Sequence, residues 1–511
     1  MPASAHRGSG LHITPSHHHG RMMHTGHRHS FEIDMIHGPL LGKVLLFALP
    51  LMVSGVLQLL FNAADIVVVG RFTGPESIAA VGSNAALINL MISVFMGLSV
   101  GVNVQVAQFY GAGNAEKSRK VVQTAVSLSL LSGLILALIG ALFSRPILAL
   151  MGTPENVIGL AASYLRIYFL GMPVIMLYNF GSAVLRGIGD TRRPLLYLSI
   201  AGAANVGMNL LFVAVFHLGV VGVALATVLS QIISAFLVLK CLTQDKGAVK
   251  LSLRPEDFRP DPQITAAIFR IGLPAGLQGS LFSLSNVIIQ SSVNSFGSAV
   301  MAGNAAAQNL EGFVYISMNA LMQTSITFTS ANYGAGDMKR VRRALFTCLG
   351  VVTVVGLTLG RSVAFFGVPL LGLYTTDPLT VQYGLTRLQV TCANYFLCGW
   401  MDTLTGAMRG IGRSVSSMII CLIGSCVLRI VWVMTVFQAF RSQFTLYISY
   451  PVSWLLTACV QLGFFFLAQR RDAAKFSEKA AAADAGSAQV PSGDAASSRA
   501  ADTADSPDSR S

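Results

Sequence analysis

The chain has 511 residues, 53% of them hydrophobic and only 11% charged, with a formal net charge of +13. Soluble domains carry roughly 25% charged residues, so a water-soluble globular body is excluded. The positive charge lies between apolar runs rather than along one soluble face, which argues for a bilayer partner and against nucleic acid.

Residues 1–35 hold eight of the ten histidines, including His17, His18 and His19. This stretch reads as a disordered, His-rich tail, and no confident metal site follows from it. The N-terminal lobe is expected over 36–242. Its apolar segments, each near the roughly 20 residues that cross a bilayer, fall at 41–66, 84–109, 119–143, 158–185, 194–216 and 218–241. A linker at 243–263 leads to a C-terminal lobe at 264–470. The segments there fall at 265–292, 303–331, 341–371, 381–408, 414–438 and 444–469. Residues 471–511 turn to Ala, Ser, Asp and Gly and read as a second disordered tail.

The second half restates the first. ALP at 48–50 is matched by GLP at 272–274, YGAGN at 110–114 by YGAGD at 333–337, and RGIG at 186–189 by RGIG at 409–412. With an even number of spans in each half, both copies enter the membrane in the same direction. The fold expected is an all-α polytopic membrane protein, with about 12 transmembrane helices in two parallel six-helix lobes. A pseudo-two-fold axis along the membrane normal relates the lobes. Lys117, Arg119, Lys120, Arg186, Arg192 and Arg193 follow even spans, as do Lys339, Arg340, Arg342, Arg343, Arg409 and Arg413. The alternate loops carry little beyond Arg71, Arg145, Arg361 and Arg441. By the positive-inside rule both termini are cytoplasmic and the chain is a multi-pass plasma or inner membrane protein.

The loop motifs have a mechanical reading. Glycines Gly111, Gly113, Gly187 and Gly189, and their counterparts Gly334, Gly336, Gly410 and Gly412, let helices end and reverse tightly. Tyr110, Arg186, Tyr333 and Arg409 complete these motifs as structural residues. No Walker-type loop, zinc-peptidase motif or serine nucleophile motif is present, so no enzyme and no ATP-driven pump is expected from this chain alone. The seven cysteines lie in or beside apolar spans and read as packing residues.

Charged and polar residues inside spans are functional candidates because each costs about 2.5–3.5 kcal/mol to insert when charged. Asp65 lies in the outer half of the first span and can bind a proton or Na⁺; it also admits a plainer reading as a helix-end cap. Asn205 and Asn209, four apart, share one face of the fifth span. They can coordinate a cation, bond Asp65 or join helices. In the second lobe Gln278, Glu311, Asp402 and Arg429 fall within spans, with Arg429 the expected counter-charge for Glu311 or Asp402. Phe61, Tyr168, Met172, Met176, Tyr178 and Phe282 can line a cleft or simply pack.

The paired YGAG and RGIG loops, QLLFNAADIVVVGR at 58–71 and LGVVGVALATVLSQ at 218–231 together resemble the multidrug and toxic compound extrusion (MATE) family. The similarity covers about residues 37–470. It implies two six-helix lobes and secondary active efflux of small organic, often cationic, compounds in exchange for H⁺ or Na⁺. No cofactor beyond the coupling ion and no second subunit is expected. It further implies that Asp65 corresponds to the family's ion-coupling aspartate, that Asn209 replaces an aspartate common in ion-coupled relatives, and that Gln278 replaces a glutamate some members carry. Asp402 resembles an acidic position some members use. Two other readings compete: a lipid-linked oligosaccharide flippase or polysaccharide exporter, which calls for a strongly basic cavity, and a non-transporting scaffold or receptor, which needs no buried acids.

Overall fold

The computed structural model describes residues 31–73, 75–244, 249–252 and 258–487. The His-rich stretch up to residue 30, Lys246 and Arg254 of the linker, and the tail beyond 487 lie outside the described residues. Among the described residues every regular element is helical.

The first lobe contains α1 (Leu40–Thr73), α2 (Pro75–Gly111), α3 (Ala115–Leu150), α4 (Glu155–Leu170), α5 (Met172–Gly187), α6 (Arg192–Asn209) and α7 (Gly219–Gln244). A π-helical turn, Leu210–Val215, prolongs α6. The second lobe contains α8 (Pro262–Asn294), α9 (Ser298–Gly334), α10 (Met338–Phe365), α11 (Gly367–Gly372), α12 (Pro378–Val390), α13 (Tyr395–Gly410), α14 (Ser414–Cys421), α15 (Leu428–Met434), α16 (Val436–Ala439) and α17 (Gln443–Ser487). Another π turn, Leu422–Val427, joins α14 to α15. A compact unit ends at Phe465; a second unit, beginning at Phe466, is helical through Ser487.

Short breaks gather these pieces into the twelve rods expected from the apolar runs. α4 and α5 form one rod bent by 49° at Gly171. By length and apolarity alone, eight helices among the described residues qualify as membrane spans, or nine with this bent pair. α8, α9 and the α12–α13 rod fail that test, and these are the rods that carry Gln278, Glu311 and Asp402. Their polar side chains are buried against other helices, so a hydropathy threshold set for lipid-facing helices misses them.

The repeat is visible in local geometry. Gly113 and Gly336 have φ of +68° and +77°, and Gly189 and Gly412 have φ of +92° and +78°. At such angles a Cβ is strained, so glycine closes each turn. The residue after each YGAG starts the next helix: Asn114 Oδ1 accepts from the Lys117 amide at 2.9 Å, and Asp337 Oδ1 from the Arg340 amide at 2.8 Å. Satisfying an orphan amide in this way stabilises a helix start by about 1 kcal/mol. These four loops mark one end of the bundle, called here the motif end.

The lobes meet along backbone. A Cβ at Gly97 of α2 would stand 2.3 Å from the Gly276 nitrogen of α8, and one at Gly101 would stand 2.4 Å from the Ile268 oxygen. At the motif end a Cβ at Gly111 would meet the Ala331 oxygen at 2.0 Å, and one at Gly334 the Gln108 oxygen at 1.9 Å. At these four positions only glycine fits, because main chains are already in contact. Val104, Ile271, Met322 and Ile326 form a small buried apolar cluster within it. Polar groups are matched across it: Asn103 and Thr327 bond at 3.1 Å, and Gln108 Nε2 donates to the Gly410 oxygen at 2.9 Å. The loop motifs therefore join lobes as well as turning chains.

The tail drawn to residue 35 from composition stops too late. Ile33 is 8% exposed and Met35 1%, packed chain rather than tail, because the Gly189 oxygen of one lobe and the Asn332 side chain of the other hold their backbone. At the other end, α17 carries helix past the expected boundary at 471 to Ser487.

Candidate functional site

In the first lobe, α1 and α6 are brought together by a glycine. The Phe61 ring occupies the place a Cβ on Gly202 would need, 1.9 Å from its Cε2 atom. Asp65 lies one turn beyond Phe61, and Asn205 and Asn209 lie along the same face of α6 as Gly202. The result is a direct bond: Asn209 Nδ2 donates to Asp65 Oδ1. Asn209 Nδ2 also approaches Asn205 Oδ1 at 3.2 Å, so the two amides and the carboxylate form one cluster. Asp65 is half-buried, whereas Asn205 and Asn209 are buried. Asn209 immediately precedes the π turn, a helical irregularity that often re-aims side chains at functional sites. The stacked pair Tyr164 and Tyr168, with centroids 6.0 Å apart, stands near this carboxylate. Among the described residues Asp65 has no ion pair.

Of the aromatic and sulfur candidates, Met172 and Met176 are fully buried. Tyr178, also buried, donates to the Pro194 oxygen at 3.2 Å. These three pack the first lobe's core. Phe61 and Tyr168 belong to the Asp65 cluster, and Phe282 of α8 is half-buried.

The second lobe treats its acids differently. Glu311 of α9 is gripped by Arg387 of α12: Nε donates to Oε1 at 3.0 Å and Nη2 to Oε2 at 2.8 Å. Thr391 donates a third bond to Glu311. Arg387 Nη1 reaches Asn304 Oδ1 at 2.7 Å, and the guanidinium lies over the rings of Tyr447 and Tyr450. The Tyr447 hydroxyl donates to the same Asn304 oxygen at 3.2 Å. This buried pair is closely satisfied, with two parallel N–H···O bonds.

The counter-charge expected for Glu311 or Asp402 was Arg429, and the structure corrects this. Arg429 makes no ion pair among the described residues. It lies on span eleven with its guanidinium 4.3 Å from the Tyr450 centroid and donates through Nε to Ser453 Oγ at 2.7 Å. Aromatic faces and a hydroxyl take up its charge instead. Sequence reading missed Arg387, Asn304, Thr391 and Tyr447; the available signal was an arginine six residues into the apolar segment at 381–408.

Asp402 on α13 is buried, and its Oδ2 has no hydrogen-bond partner among the described residues. Two turns on, Arg409 Nη2 donates to Gln278 Oε1 at 3.0 Å. Arg409, read as a loop residue, thus reaches into the lobe to cross-link α13 and α8, while its Nε remains unpartnered. Gln278, Glu311, Asp402 and Arg429 all lie in the second lobe without converging on one point. Among the described residues no group of three acidic, histidine or cysteine side chains can hold a metal ion.

Two lobes of membrane-spanning helices, a glycine seam between them, and a carboxylate on α1 bonded to an amide of α6 just before its π turn are the architecture of a polytopic membrane transporter built from a repeat. A family model described as MatE matches residues 50–213 and again 274–435, one match per lobe, and the chain belongs to that family. It is 29% identical over 432 residues to the probable multidrug resistance protein YoeA of Bacillus subtilis, covering 82% of this chain and 92% of that protein. It is 26% identical over 446 residues to an FAD transporter of Shewanella oneidensis, covering 84% and 95%. It is 24% identical over 399 residues to the multidrug export protein MepA of Staphylococcus aureus, covering 78% and 87%. Among solved structures, the fold matches an outward-facing multidrug resistance MATE family transporter with a TM-score of 0.79 at 22% identity, over 87% of this chain and 98% of that one. A Pyrococcus furiosus transporter of the MOP superfamily, described as having a binding pocket of reverse polarity, matches equally at 0.79 and 22%, covering 86% and 97%.

Proposed function

We propose that this protein exports small organic compounds by exchanging them for protons, with Asp65 as the residue that couples the two. The carrying observation is the Asp65–Asn209 bond between α1 and α6. A carboxylate held by a neutral amide can gain a proton without breaking an ion pair, and gaining it weakens the tie between the two helices. Proton occupancy thereby changes the packing of α1. Substrate loading and proton loading compete for one conformational cycle, which is all that antiport requires.

A proton suits the site better than Na⁺, because one carboxylate flanked by two amides supplies few oxygens for a bare cation. The distribution of Lys and Arg supports the motif end, and both termini, facing the cytoplasm. The close approaches between lobes, from Gly111–Ala331 to Gly97–Gly276, then seal the cytoplasmic side, as an outward-facing state requires. One chain holds both lobes, so a monomer suffices. Exchange of one H⁺ for one monovalent cation moves no net charge and draws on the pH gradient alone.

The test is transport of a fluorescent organic cation into inside-out vesicles, comparing wild type with Asp65→Asn under imposed H⁺ and Na⁺ gradients. Accumulation that follows the H⁺ gradient and collapses in the folded variant is the expected result. Equal accumulation by both proteins would remove Asp65 from coupling, and dependence on the Na⁺ gradient would replace the proton with Na⁺.

A further inference from the structure

The segment before α1 is stitched to both lobes at once. On the first-lobe side the Ile33 amide donates to the Gly189 oxygen at 3.2 Å, inside the RGIG loop. Gly189 is needed there twice over: its φ is +92°, and a Cβ would stand 2.4 Å from the Ile33 oxygen. Tyr110 of the first YGAG donates to Glu32 at 3.4 Å, and the Arg193 guanidinium stands 5.5 Å from the Phe31 ring. On the second-lobe side Asn332 Nδ2 donates to the Met35 oxygen at 3.2 Å. Arg340 Nη2 donates to the oxygens of His37 and Gly38 at 2.9 and 3.0 Å.

The strap is also stiffened from within. Asp34 Oδ1 accepts from the amides of Ile36 and His37 at 3.0 and 3.1 Å, and Lys43 donates to the oxygens of Asp34 and His37. Partial burial works against the Asp34 charge, but these amides and Lys43 outweigh it and hold the carboxyl below its usual pKa. Ile33 and Met35 are buried while Phe31, Asp34, His37 and Gly38 are exposed, the pattern of a segment plugged onto a surface by two apolar side chains.

The repeat offers an internal contrast. The segment leading into α8 docks on the first lobe: Val249 and Leu251 join its core, Ser127 donates to the Phe258 oxygen at 2.7 Å, and the Asp261 amide donates to Thr124 at 3.2 Å. That segment is continuous with the first lobe through α7 and can ride with it. The strap before α1 instead holds Tyr110 and Gly189 of one lobe and Asn332 and Arg340 of the other. Tyr110 and Gly189 belong to the YGAG and RGIG turns of the first lobe, Asn332 immediately precedes the second YGAG, and Arg340 lies in the first turn of α10. They must separate when the cytoplasmic side opens.

We infer that residues 31–38 are a latch that holds the cytoplasmic side closed and must release one lobe before the inward-facing state can form. The inference rests on the alternating-access reading above. It assigns to this segment a control over opening that neither the seam nor Asp65 supplies.

The test reads opening directly, without substrate. Val104 is buried in the inter-lobe cluster, so a Val104→Cys side chain reacts with a membrane-impermeant maleimide in inside-out vesicles only when the seam parts. Modification at position 104 is followed by mass spectrometry in the full chain, which separates it from the native cysteines. The paired change Phe31→Ala with Glu32→Ala, confined to the strap, is expected to raise the labelling rate at least fivefold, and Arg340→Ala at least tenfold. A Lys120→Ala control, removing an exposed charge of the same face, leaves it unchanged. If the strap pair does not raise labelling, the latch is overturned, whatever Arg340→Ala does. Should Arg340→Ala fail to fold, the strap pair alone decides. Dye transport is measured on the same vesicles: labelling that rises in a protein unable to exchange dye for protons would sink the antiport reading and leave the latch standing.

Discussion

The two lobes hold their membrane acids in opposite ways. Glu311 is buried against a bidentate arginine and a threonine, with two tyrosine rings on the arginine, whereas Asp65 is half-buried and touched by a single amide hydrogen bond. A carboxylate tied to a guanidinium in low dielectric cannot change its proton without leaving a buried arginine uncompensated. One tied to an amide can. Sequence repetition therefore conceals a difference between these two acids: Glu311 is locked into an ion pair, whereas Asp65 is left without one.

The largest effect expected from this contrast is on stability. Arg387→Ala should destabilise the purified protein by about 3–5 kcal/mol in thermal or denaturant unfolding, since it strands Glu311. Replacing both partners by apolar residues, Arg387→Met with Glu311→Leu, should recover most of that loss. A single variant as stable as wild type would mean the pair does not hold the second lobe together.

Asp65→Asn should do the reverse. Unfolding should shift by less than about 1 kcal/mol, because the change is nearly isosteric, while proton-driven dye transport drops at least thirtyfold, about 2 kcal/mol. A large stability loss here would erase the distinction between the lobes. Gly202→Ala tests the approach of α1 to α6 within the first lobe and is expected to cost about 1–2 kcal/mol by overpacking against Phe61. It should lower transport without removing the carboxylate, and unchanged transport would show that the α1–α6 approach is not what places Asp65.

The smallest effect is expected at Asp402. Its unmet oxygen means that Asp402→Asn removes a poorly compensated buried charge, so stability should stay level or rise by under about 1 kcal/mol. Transport should fall less than in Asp65→Asn. A collapse equal to that of Asp65→Asn would make the second lobe an equal partner in coupling.

Much of this arrangement could be read from the chain itself. Spans, repeat and motif loops follow from apolar length and from glycines that must take positive φ. The spacing of Asn205 and Asn209 puts them on one face, but a bond to Asp65 is only one of the roles that face allows, and the structure is what selects it. Arg387 escaped notice because an arginine near the start of an apolar run looks like a helix-end charge until its partner, 76 residues away on another helix, is seen. Arg429 was assigned a carboxylate because Coulomb attraction is the obvious remedy for a buried cation, yet two aromatic faces serve in its place. The strap was invisible for another reason. Phe31–Gly38 has no periodicity, and its contacts are mostly made by backbone atoms, which composition cannot report.

The glycine seam has a kinetic consequence. Where Gly97, Gly101, Gly272 and Gly276 meet, main chain touches main chain and almost no side chain has to choose a rotamer. Zipping or unzipping such a surface freezes or frees little torsional freedom, a quantity worth up to about 1.5–2 kcal/mol for each long side chain. In the alternating-access cycle proposed above, the joint can therefore be tight when shut and be remade with a low entropic barrier, like a hinge whose leaves are machined flat.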